Sequence, residues 1–364
     1  MEEKEEKAQE TQKKLAKLSK KDRNTLIIVS TIVVLTLTAF SLSLAFGFSN
    51  NNNETYYDWY NAKAGLYDSE GKYIDGSASS FTFGDSENGK SLISITNSFE
   101  NASKAYLPSV VSLNGTQKKL DTIGNGETSI LQGEYGLKEI YVNRSVNKVL
   151  SFSFANATTL TTYSHGFEKD APLEFGDKVF YSDENLVDVF LPKNTATIGK
   201  SIFEGCISLE ELDLSNTYIN TIPESAFAST TSLKNLSLSK SVYSIGKSAF
   251  YKSGIETFEA NSDLETIGEN AFEGSSLKEI NLAASKLIVL NAKVFKDTAQ
   301  LNKLTISSKI KRINNNAFAS SSLTSIDFEG TSEMWDAIEK DDEWNKDSSL
   351  TSIVCSDKTI DLNN

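Results

Sequence analysis

The chain has 364 residues, of which 36 are Lys or Arg and 49 are Asp or Glu, and its formal net charge is −13. This acidic balance argues against binding to nucleic acid, because no excess of cations is available to release counterions from the phosphates. One histidine, His165, and two cysteines, Cys206 and Cys355, are too few for a zinc-finger, iron–sulfur or disulfide scaffold. We therefore expect no enzyme, no metal site and no cofactor.

The amino-terminal part predicts a membrane anchor. Residues 1–24 form a charged stub, and none of the 23 residues from Leu26 to Phe48 is charged. As a helix that segment spans about 34 Å, against a hydrocarbon core of about 30 Å. Basic residues precede it, so residues 25–48 are expected to be a transmembrane signal anchor, with a cytoplasmic amino terminus and an extracellular carboxyl-terminal part. A cleavable signal peptide is the alternative, but its apolar region is normally about 7–15 residues.

Residues 49–136 are predicted to hold an amino-terminal cap and degenerate repeats. The part from 55 to 105 is rich in Tyr, Ser, Asp and Gly, which is typical of irregular strands. The segments GKSLISITNSF and DTIGNGETSI suggest degenerate coils or a capping sheet.

A repeat of 22 to 24 residues dominates residues 137–330. Its clearest opening residues are apolar: Leu186, Leu209, Leu233, Ile255, Leu277, Leu301 and Leu323. Each opens the pattern L-x-x-apolar-x-apolar, whose last two apolar residues are spaced as in a strand with one buried face. A second apolar pair and a turn at Gly, Pro or Asn follow, as at Gly199, Gly246 and Gly268. Each unit then ends in a phenylalanine: Phe203, Phe227, Phe250, Phe272, Phe295 and Phe318. One coil alone cannot bury three apolar sides, so we expect stacked coils with a column of phenylalanines.

Residues 331–364 are predicted to close the array. Trp335 and Ile338 lie three apart in SEMWDAI, as on the inner face of a short helix that covers the last coil. Cys206 and Cys355 lie six coils apart, about 28 Å at the spacing of stacked strands, which is too far for a disulfide bond.

The unit L-x-x-I-x-L followed by I-G-x-x-A-F, with Cys206 in FEGC, resembles the BspA-type leucine-rich repeat of bacterial and protist surface proteins. The tail FEGTSEMWDAI resembles the terminal G-T-x-x-x-W-x-x-I segment of those arrays. The resemblance covers about residues 137–360. It implies a β-rich solenoid, a leucine-rich-repeat horseshoe or rod of short parallel strands, used for binding and often for adhesion, with no catalytic motif.

The outward strand positions are the candidate binding surface. They carry seven acidic residues and one basic residue, Lys303, in the predicted strands. The residues chosen as ligand-binding candidates are Glu139, Tyr141, Asp188, Phe190, Glu211, Asp213, Glu259, Glu279 and Asp327. Such a surface suits a basic segment of an extracellular protein, with Tyr141 and Phe190 as aromatic anchors. The alternative is a solvated acidic face that keeps the protein soluble. His165 is expected on an outward or loop-edge position.

These features predict a membrane-anchored cell-surface protein that binds other proteins in adhesion or recognition. One alternative is self-association into a surface coat or membrane assembly without a foreign ligand. An enzyme hidden in residues 50–135 is a weaker alternative, because that segment contains no histidine, cysteine or phosphate-binding glycine loop.

Overall fold

Short parallel strands, one in each coil, form the first side of the protein. The computed structural model describes residues 62–95, 101–113, 115–131, 136–168 and 171–363. With strands numbered in chain order, those of the first side are β4 (Lys104–Tyr106), β7 (Glu139–Val142), β9 (Thr162–His165), β11 (Asp188–Phe190), β13 (Glu211–Asp213), β15 (Asn235–Ser237), β17 (Thr257–Glu259), β19 (Glu279–Leu282), β21 (Lys303–Ile306), β23 (Ser325–Phe328) and β25 (Ser352–Val354). Alternate residues point inward, as in β19, where Ile280 and Leu282 are buried while Glu279 and Asn281 are exposed.

A second set of strands lies on another side of each coil, after the first set. These strands are β8 (Lys148–Val149), β10 (Leu173–Phe175), β12 (Thr195–Thr197), β14 (Thr221–Ile222), β16 (Ser244–Ile245), β18 (Thr266–Ile267), β20 (Val289–Leu290), β22 (Arg312–Ile313) and β24 (Glu339–Lys340). Within each set most neighbouring strands pair in parallel, as in β14–β16, β19–β21 and β20–β22. The ladder is interrupted between β11 and β13 and between β15 and β17 on the first side, and between β12 and β14 and between β18 and β20 on the second. The described residues therefore form a β-solenoid of about nine turns with little helix, which confirms the predicted fold class for this part of the chain.

A column of buried phenylalanines runs through the solenoid. Neighbouring rings lie 5.2 to 5.8 Å apart and are nearly parallel. The six predicted phenylalanines are confirmed as members of this column, which Phe154 and Phe180 extend toward the amino terminus. The stacked rings hold each coil in register with its neighbours, since offset-stacked aromatic pairs are favourable beyond the area they bury.

The backbone around each of these phenylalanines bonds to the next coil. Around Phe203, the amide N–H groups of Ser201, Phe203 and Gly205 donate to carbonyl oxygens of residues 224, 226 and 228 at 2.9 Å. Ser201 and Gly205 have φ angles of 53° and 80°, and the same pair of left-handed residues flanks the other column phenylalanines. This alternation turns every second N–H toward the neighbouring coil. The segment around each column phenylalanine is a third side of the coil, and it is also held by hydrogen bonds between coils.

The turn glycines serve close packing rather than an unusual backbone conformation. Gly199, Gly246 and Gly268 have no positive φ angle. A Cβ on Gly199 would fall inside contact distance of the Gly176 carbonyl oxygen, and one on Gly246 would lie 2.6 Å from the backbone nitrogen of Glu224. Glycine is therefore required at these positions because one coil approaches the coil before it closely, rather than because the chain turns sharply there.

The amino-terminal strands mix antiparallel and parallel pairing. They are β1 (Gly65–Tyr67), β2 (Phe81–Asp85), β3 (Lys90–Ile95), β5 (Val110–Leu113) and β6 (Thr116–Ile123), with a short 3-10 turn at Ser77–Ser80. β1 pairs antiparallel with β4, and β2 and β5 pair antiparallel with β3 and β6. However, β3–β6 and β4–β7 are parallel, so the coil-to-coil pairing already begins upstream of residue 137.

The carboxyl-terminal end is closed by helix α1 (Ser332–Asp336) and strand β26 (Thr359–Asp361). Trp335 is buried, and its ring lies 5.5 Å from that of Phe328 and 6.0 Å from that of Trp344. Ile338 is also buried. The helix ends at Asp336, before Ile338, so the predicted inner face of a short helix is confirmed for Trp335 alone. β26 pairs antiparallel with β25 and ends the parallel ladder.

The expected outward position of His165 is wrong. The ring is fully buried, with Nδ1 2.7 Å from the Tyr163 hydroxyl and Nε2 3.0 Å from the Val146 carbonyl oxygen. In β9 the inward residues are Tyr163 and His165, because side chains alternate with a period of two along a strand. Burial lowers the pKa of His165 to about 4. The only histidine of the chain therefore has a structural role in the core.

Two further sequence expectations concern cysteines and the membrane. Cys206 and Cys355 are both free and buried, and the Cys206 thiol donates to the Phe180 carbonyl oxygen over 3.0 Å. Within the described ranges, no helix has the length and apolar character needed to cross a bilayer. The charged stub at 1–24 and the transmembrane helix predicted for 25–48 lie outside those ranges.

Candidate protein-binding surface

The nine candidate residues all belong to strands of the first side and lie in two rows. We call the outward side chains of these strands the strand face. The row at the first position of each strand contains Glu139, Asp188, Glu211 and Glu279, and the row at the third position contains Tyr141, Phe190, Asp213, Glu259 and Asp327. Glu211, Asp213, Glu259 and Glu279 are exposed. From β7 onward, parallel in-register pairing thus makes neighbours of residues that are 22 to 27 positions apart in the sequence.

Two residues at the amino-terminal end of the strand face were not among the candidates. Lys104 and Tyr106 of β4 are in register with Glu139 and Tyr141 of β7. Lys104 Nζ lies 3.2 Å from a Glu139 carboxylate oxygen, and the Tyr106 and Tyr141 rings stack at 4.6 Å. The alternation in Lys-Ala-Tyr, with buried Ala105 between them, was the available signal, but it lies in the stretch interpreted as irregular strands.

Glu139 is held by groups of the protein itself. Besides its contact with Lys104, its other carboxylate oxygen accepts a hydrogen bond from the Tyr141 hydroxyl at 2.6 Å. Burial and this hydrogen bond raise the pKa of Tyr141 above its usual range, so the phenol stays protonated and keeps donating. The charge of Glu139 is thus partly neutralised by Lys104, and its hydrogen bond positions the Tyr141 side chain.

Asp188 lies two strands from Glu139 in the same row, with Thr162 of β9 between them. Burial, and then the negative charge of Glu139, raises the pKa of Asp188 above its usual value. Among the residues that the structure describes, no Lys or Arg lies within 4.0 Å of Asp188, Glu211 or Asp213. These three carboxylates lie on two successive strands of the first side, β11 and β13, so negative charge is concentrated there.

The carboxyl-terminal half of the strand face has weaker charge. Glu279 lies 3.6 Å from Lys303 of the next coil, so this pair is close to neutral. The remaining positions there are mostly Asn, Thr and Ser, and Glu259 and Asp327 are three strands apart in one row. The composition of the outward positions alone suggests a uniformly acidic face, but in the structure the negative charge is uneven along it.

The rest of the described surface has few features typical of a site. A shallow depression of about 390 Å³ lies beside the second side and is lined by Ser241, Tyr243, Asp263, Glu265 and Lys286. Lys286 Nζ contacts Asp263 at 3.0 Å, so its charge is used within the coil stack. Within the described ranges, no three His, Cys, Asp or Glu residues are arranged to hold a metal ion.

Three solved bacterial structures share similarity with the chain at low identity. A leucine-rich cell surface protein from Faecalibacterium prausnitzii is 16% identical, with 74% of this chain and 97% of that chain covered and a TM-score of 0.45. A leucine-rich repeat protein from Bacteroides ovatus is 16% identical, with 76% and 100% covered and a TM-score of 0.32. The pneumococcal vaccine antigen PcpA is 15% identical, with 76% and 85% covered and a TM-score of 0.47.

No curated protein matches the sequence significantly. The family model of the BspA-type leucine-rich repeat region, in contrast, matches residues 116–221, 173–286 and 220–338 with six copies. These matches span more than half of the 364 residues and the coils described above. The chain therefore belongs to the BspA-type leucine-rich repeat family.

Proposed function

We propose that the protein is a cell-surface protein that binds other proteins through the strand face, in adhesion or recognition. One observation carries this proposal: the strand face presents exposed carboxylates, including Glu211, Asp213 and Glu259, that the fold does not use for ion pairs among the described residues. Solenoids use such continuous surfaces for binding. Family membership supports this function, which needs no catalytic step.

We further propose that residues 25–48 anchor the chain in the cell membrane, with its repeats outside the cell. The support is the uncharged stretch from Leu26 to Phe48 and the basic residues before it. Protease treatment of intact cells tests this orientation, because it should remove the repeats and leave the first 24 residues protected. Protection of the whole chain would refute the proposed location.

The binding function is tested by reversing charge on the strand face. The full chain captures partners from cell-surface and matrix extracts, and each partner's affinity is then measured for a variant with Glu211, Asp213, Glu259 and Glu279 changed to Lys. A matched control carries the same charge change at exposed acidic residues elsewhere: Glu127, Glu174, Glu184 and Asp342. We expect a large, salt-sensitive loss of affinity for the strand-face variant only.

Equal effects of both variants would remove the strand face from the proposal. Capture of copies of the same chain alone, with association that rises with concentration in sedimentation experiments, would favour a structural surface assembly over adhesion. Circular dichroism and urea unfolding of both variants show whether the fold is retained.

A further inference from the structure

Two neighbouring coils of the solenoid lack paired strands on both of their strand sides. They are the coil at residues 186–206, which contains β11 and β12, and the coil at residues 209–230, which contains β13 and β14. Every other interruption among the described coils affects one side only, because β16 still pairs with β18 and β17 still pairs with β19. We call the contact between these two coils the unpaired junction.

Backbone hydrogen bonds distinguish the unpaired junction from the one that follows it. At the following junction β13 pairs with β15 and β14 with β16, and the N–H of Gly246 donates to the Ile222 carbonyl oxygen at 2.7 Å. Across the unpaired junction, the described residues form a single backbone hydrogen bond outside the third side, from the N–H of Tyr218 to the Thr195 carbonyl oxygen at 2.9 Å. The two coils are therefore weakly connected along their first and second sides.

Pro223 accounts for part of the gap on the second side. It occupies the position of Gly176, Gly246 and Gly268 in other coils, whose N–H groups each donate to a carbonyl oxygen of the preceding coil at 2.7 to 2.8 Å. Proline has no N–H, so the coil at residues 209–230 cannot form this bond.

The first side of the junction lacks an attractive charge pair. Asp188 and Glu211 take the first position of β11 and β13. At the equivalent position of β19 and β21, Glu279 lies 3.6 Å from Lys303 and the two strands are paired. Like charges at equivalent positions of adjacent strands disfavour pairing, so each side of the junction has a physical reason for its gap.

The third side and the phenylalanine column cross the junction without interruption. The N–H groups of Ser201, Phe203 and Gly205 donate to the next coil at 2.9 Å. The ring of Phe203 stacks on that of Phe227 at 5.6 Å, with 12° between the ring planes. Leu212 of β13 is 3% exposed, so the first side is closed by packing although its strands are unpaired.

We propose that the unpaired junction is a hinge in the solenoid. Its axis is the third side, and bending separates β11 from β13 and β12 from β14. Bending costs less here than elsewhere because no strand ladder has to break, whereas at every other junction of the described coils at least one ladder resists it.

The hinge divides the strand face into two groups of candidate residues. Glu139, Tyr141, Asp188 and Phe190 lie before it, and Glu211, Asp213, Glu259, Glu279 and Asp327 lie after it. Bending changes the distance between the groups, so a partner that contacts both selects one bend angle. This consequence rests on the proposed function, whereas the hinge itself does not.

Distances between paired spin labels on the full chain test the hinge. In a background with Cys206→Thr and Cys355→Ser, Lys138→Cys with Lys234→Cys brackets the unpaired junction. Lys234→Cys with Thr324→Cys brackets junctions that keep at least one ladder. All three label positions are exposed and precede a strand of the first side. Each pair spans four coil spacings, about 19 Å.

Double electron–electron resonance should give a distance distribution at least about twice as wide for the first pair as for the second. Pro223→Gly supplies the N–H that Gly246 has in the next coil, so it should narrow the first distribution. A width that stays the same would reject Pro223 as a cause of the gap. Equal widths for the two label pairs would overturn the hinge, because the solenoid then behaves as one rigid rod.

Hydrogen exchange of the unmodified chain locates the axis. The amides of Ser201 and Phe203 at the unpaired junction and those of Ser225 and Phe227 at the next one form the same third-side hydrogen bonds. If the third side is the axis, the protection of the two pairs should agree within about threefold. A protection of Ser201 and Phe203 more than about tenfold lower would mean that the coils separate completely, and would reject the hinge.

These outcomes leave the proposed function separately testable. The four-site charge reversal measures the affinity for a partner, which a rigid solenoid could bind as well as a hinged one.

Discussion

Replacing Phe250 by alanine tests whether the phenylalanine column holds the coils together. The Phe250 side chain is fully buried, and its ring stacks on Phe227 at 5.4 Å and on Phe272 at 5.2 Å. It also lies 6.5 Å from the ring of Phe258. The change therefore opens a cavity at the centre of the column and removes two stacked contacts at once.

The expected loss of stability is large. Replacing a buried phenylalanine by alanine typically costs about 3–5 kcal/mol, because apolar burial is lost and the cavity does not fully close. Phe250 lies inside a continuous column in which each coil is supported only by its neighbours. We therefore expect Phe250→Ala to lower the free energy of unfolding by about 4 kcal/mol.

Urea unfolding, followed by circular dichroism and by the fluorescence of Trp335 and Trp344 in the carboxyl-terminal cap, measures this change. Phe258→Leu is the matched control, because Leu212 and Leu304 occupy the equivalent inward position of other strands. We expect the control to cost less than about 1.5 kcal/mol. A cost for Phe250→Ala no larger than that of the control would refute the role assigned to the column.

Three further predictions concern the core and the turns. Burial lowers the pKa of His165 from 6.5 to about 4. Between these two pH values the unfolded chain binds a proton at His165 and the folded chain does not. The free energy of unfolding should therefore fall by about 3 kcal/mol on acidification through this range. His165→Leu, which copies Leu191 of the next coil, should remove this part of the pH dependence of the unfolding free energy, measured by urea titration at pH 7, 5.5 and 4. An unchanged pH dependence would contradict the prediction. Burial raises the pKa of Asp183, so the protonated carboxyl favours the folded state, and this contribution to stability is lost as the pH rises above about 4. Asp183→Asn cannot ionise, so its free energy of unfolding should exceed that of the wild type by more at pH 8 than at pH 5. The same gain at both pH values would argue against a buried proton. Gly199→Ala places a methyl group against the carbonyl oxygen of Gly176 and should cost about 1–3 kcal/mol, whereas an unaltered urea midpoint would show that the two coils separate easily.

Local spacing was enough to predict the repeated parts of the fold. The alternation of apolar residues identifies the inward positions of strands such as β19, and the recurrence of phenylalanine every 22 to 24 residues predicts a stacked column. The burial of Trp335 and Ile338 was likewise predictable from their spacing of three residues, although the helix ends at Asp336, before Ile338. The inward strand positions and the phenylalanine column depend on contacts that repeat from coil to coil, so one unit of the pattern contains the information for all the others.

Features that depend on which coil lies beside which were not predictable in this way. Inward and outward positions are ambiguous in a degenerate coil, and only the pairing of β9 with β7 and β11 places His165 in the core. Lys104 joins the strand face because β4 pairs with β7 across a stretch without clear repeats.

The same reason explains why the acidic face is uneven. Glu279 and Lys303 are 24 residues apart and become partners through the register of β19 and β21, whereas Asp188 and Glu211 gain no basic neighbour among the described residues. The repeat period and the inward face of each regular strand follow from the order of amino acids, because the same alternation of apolar and polar residues recurs in every unit. Charge pairing and burial at single positions follow from stacking, because they are set by the side chain that the adjacent coil places a strand spacing away.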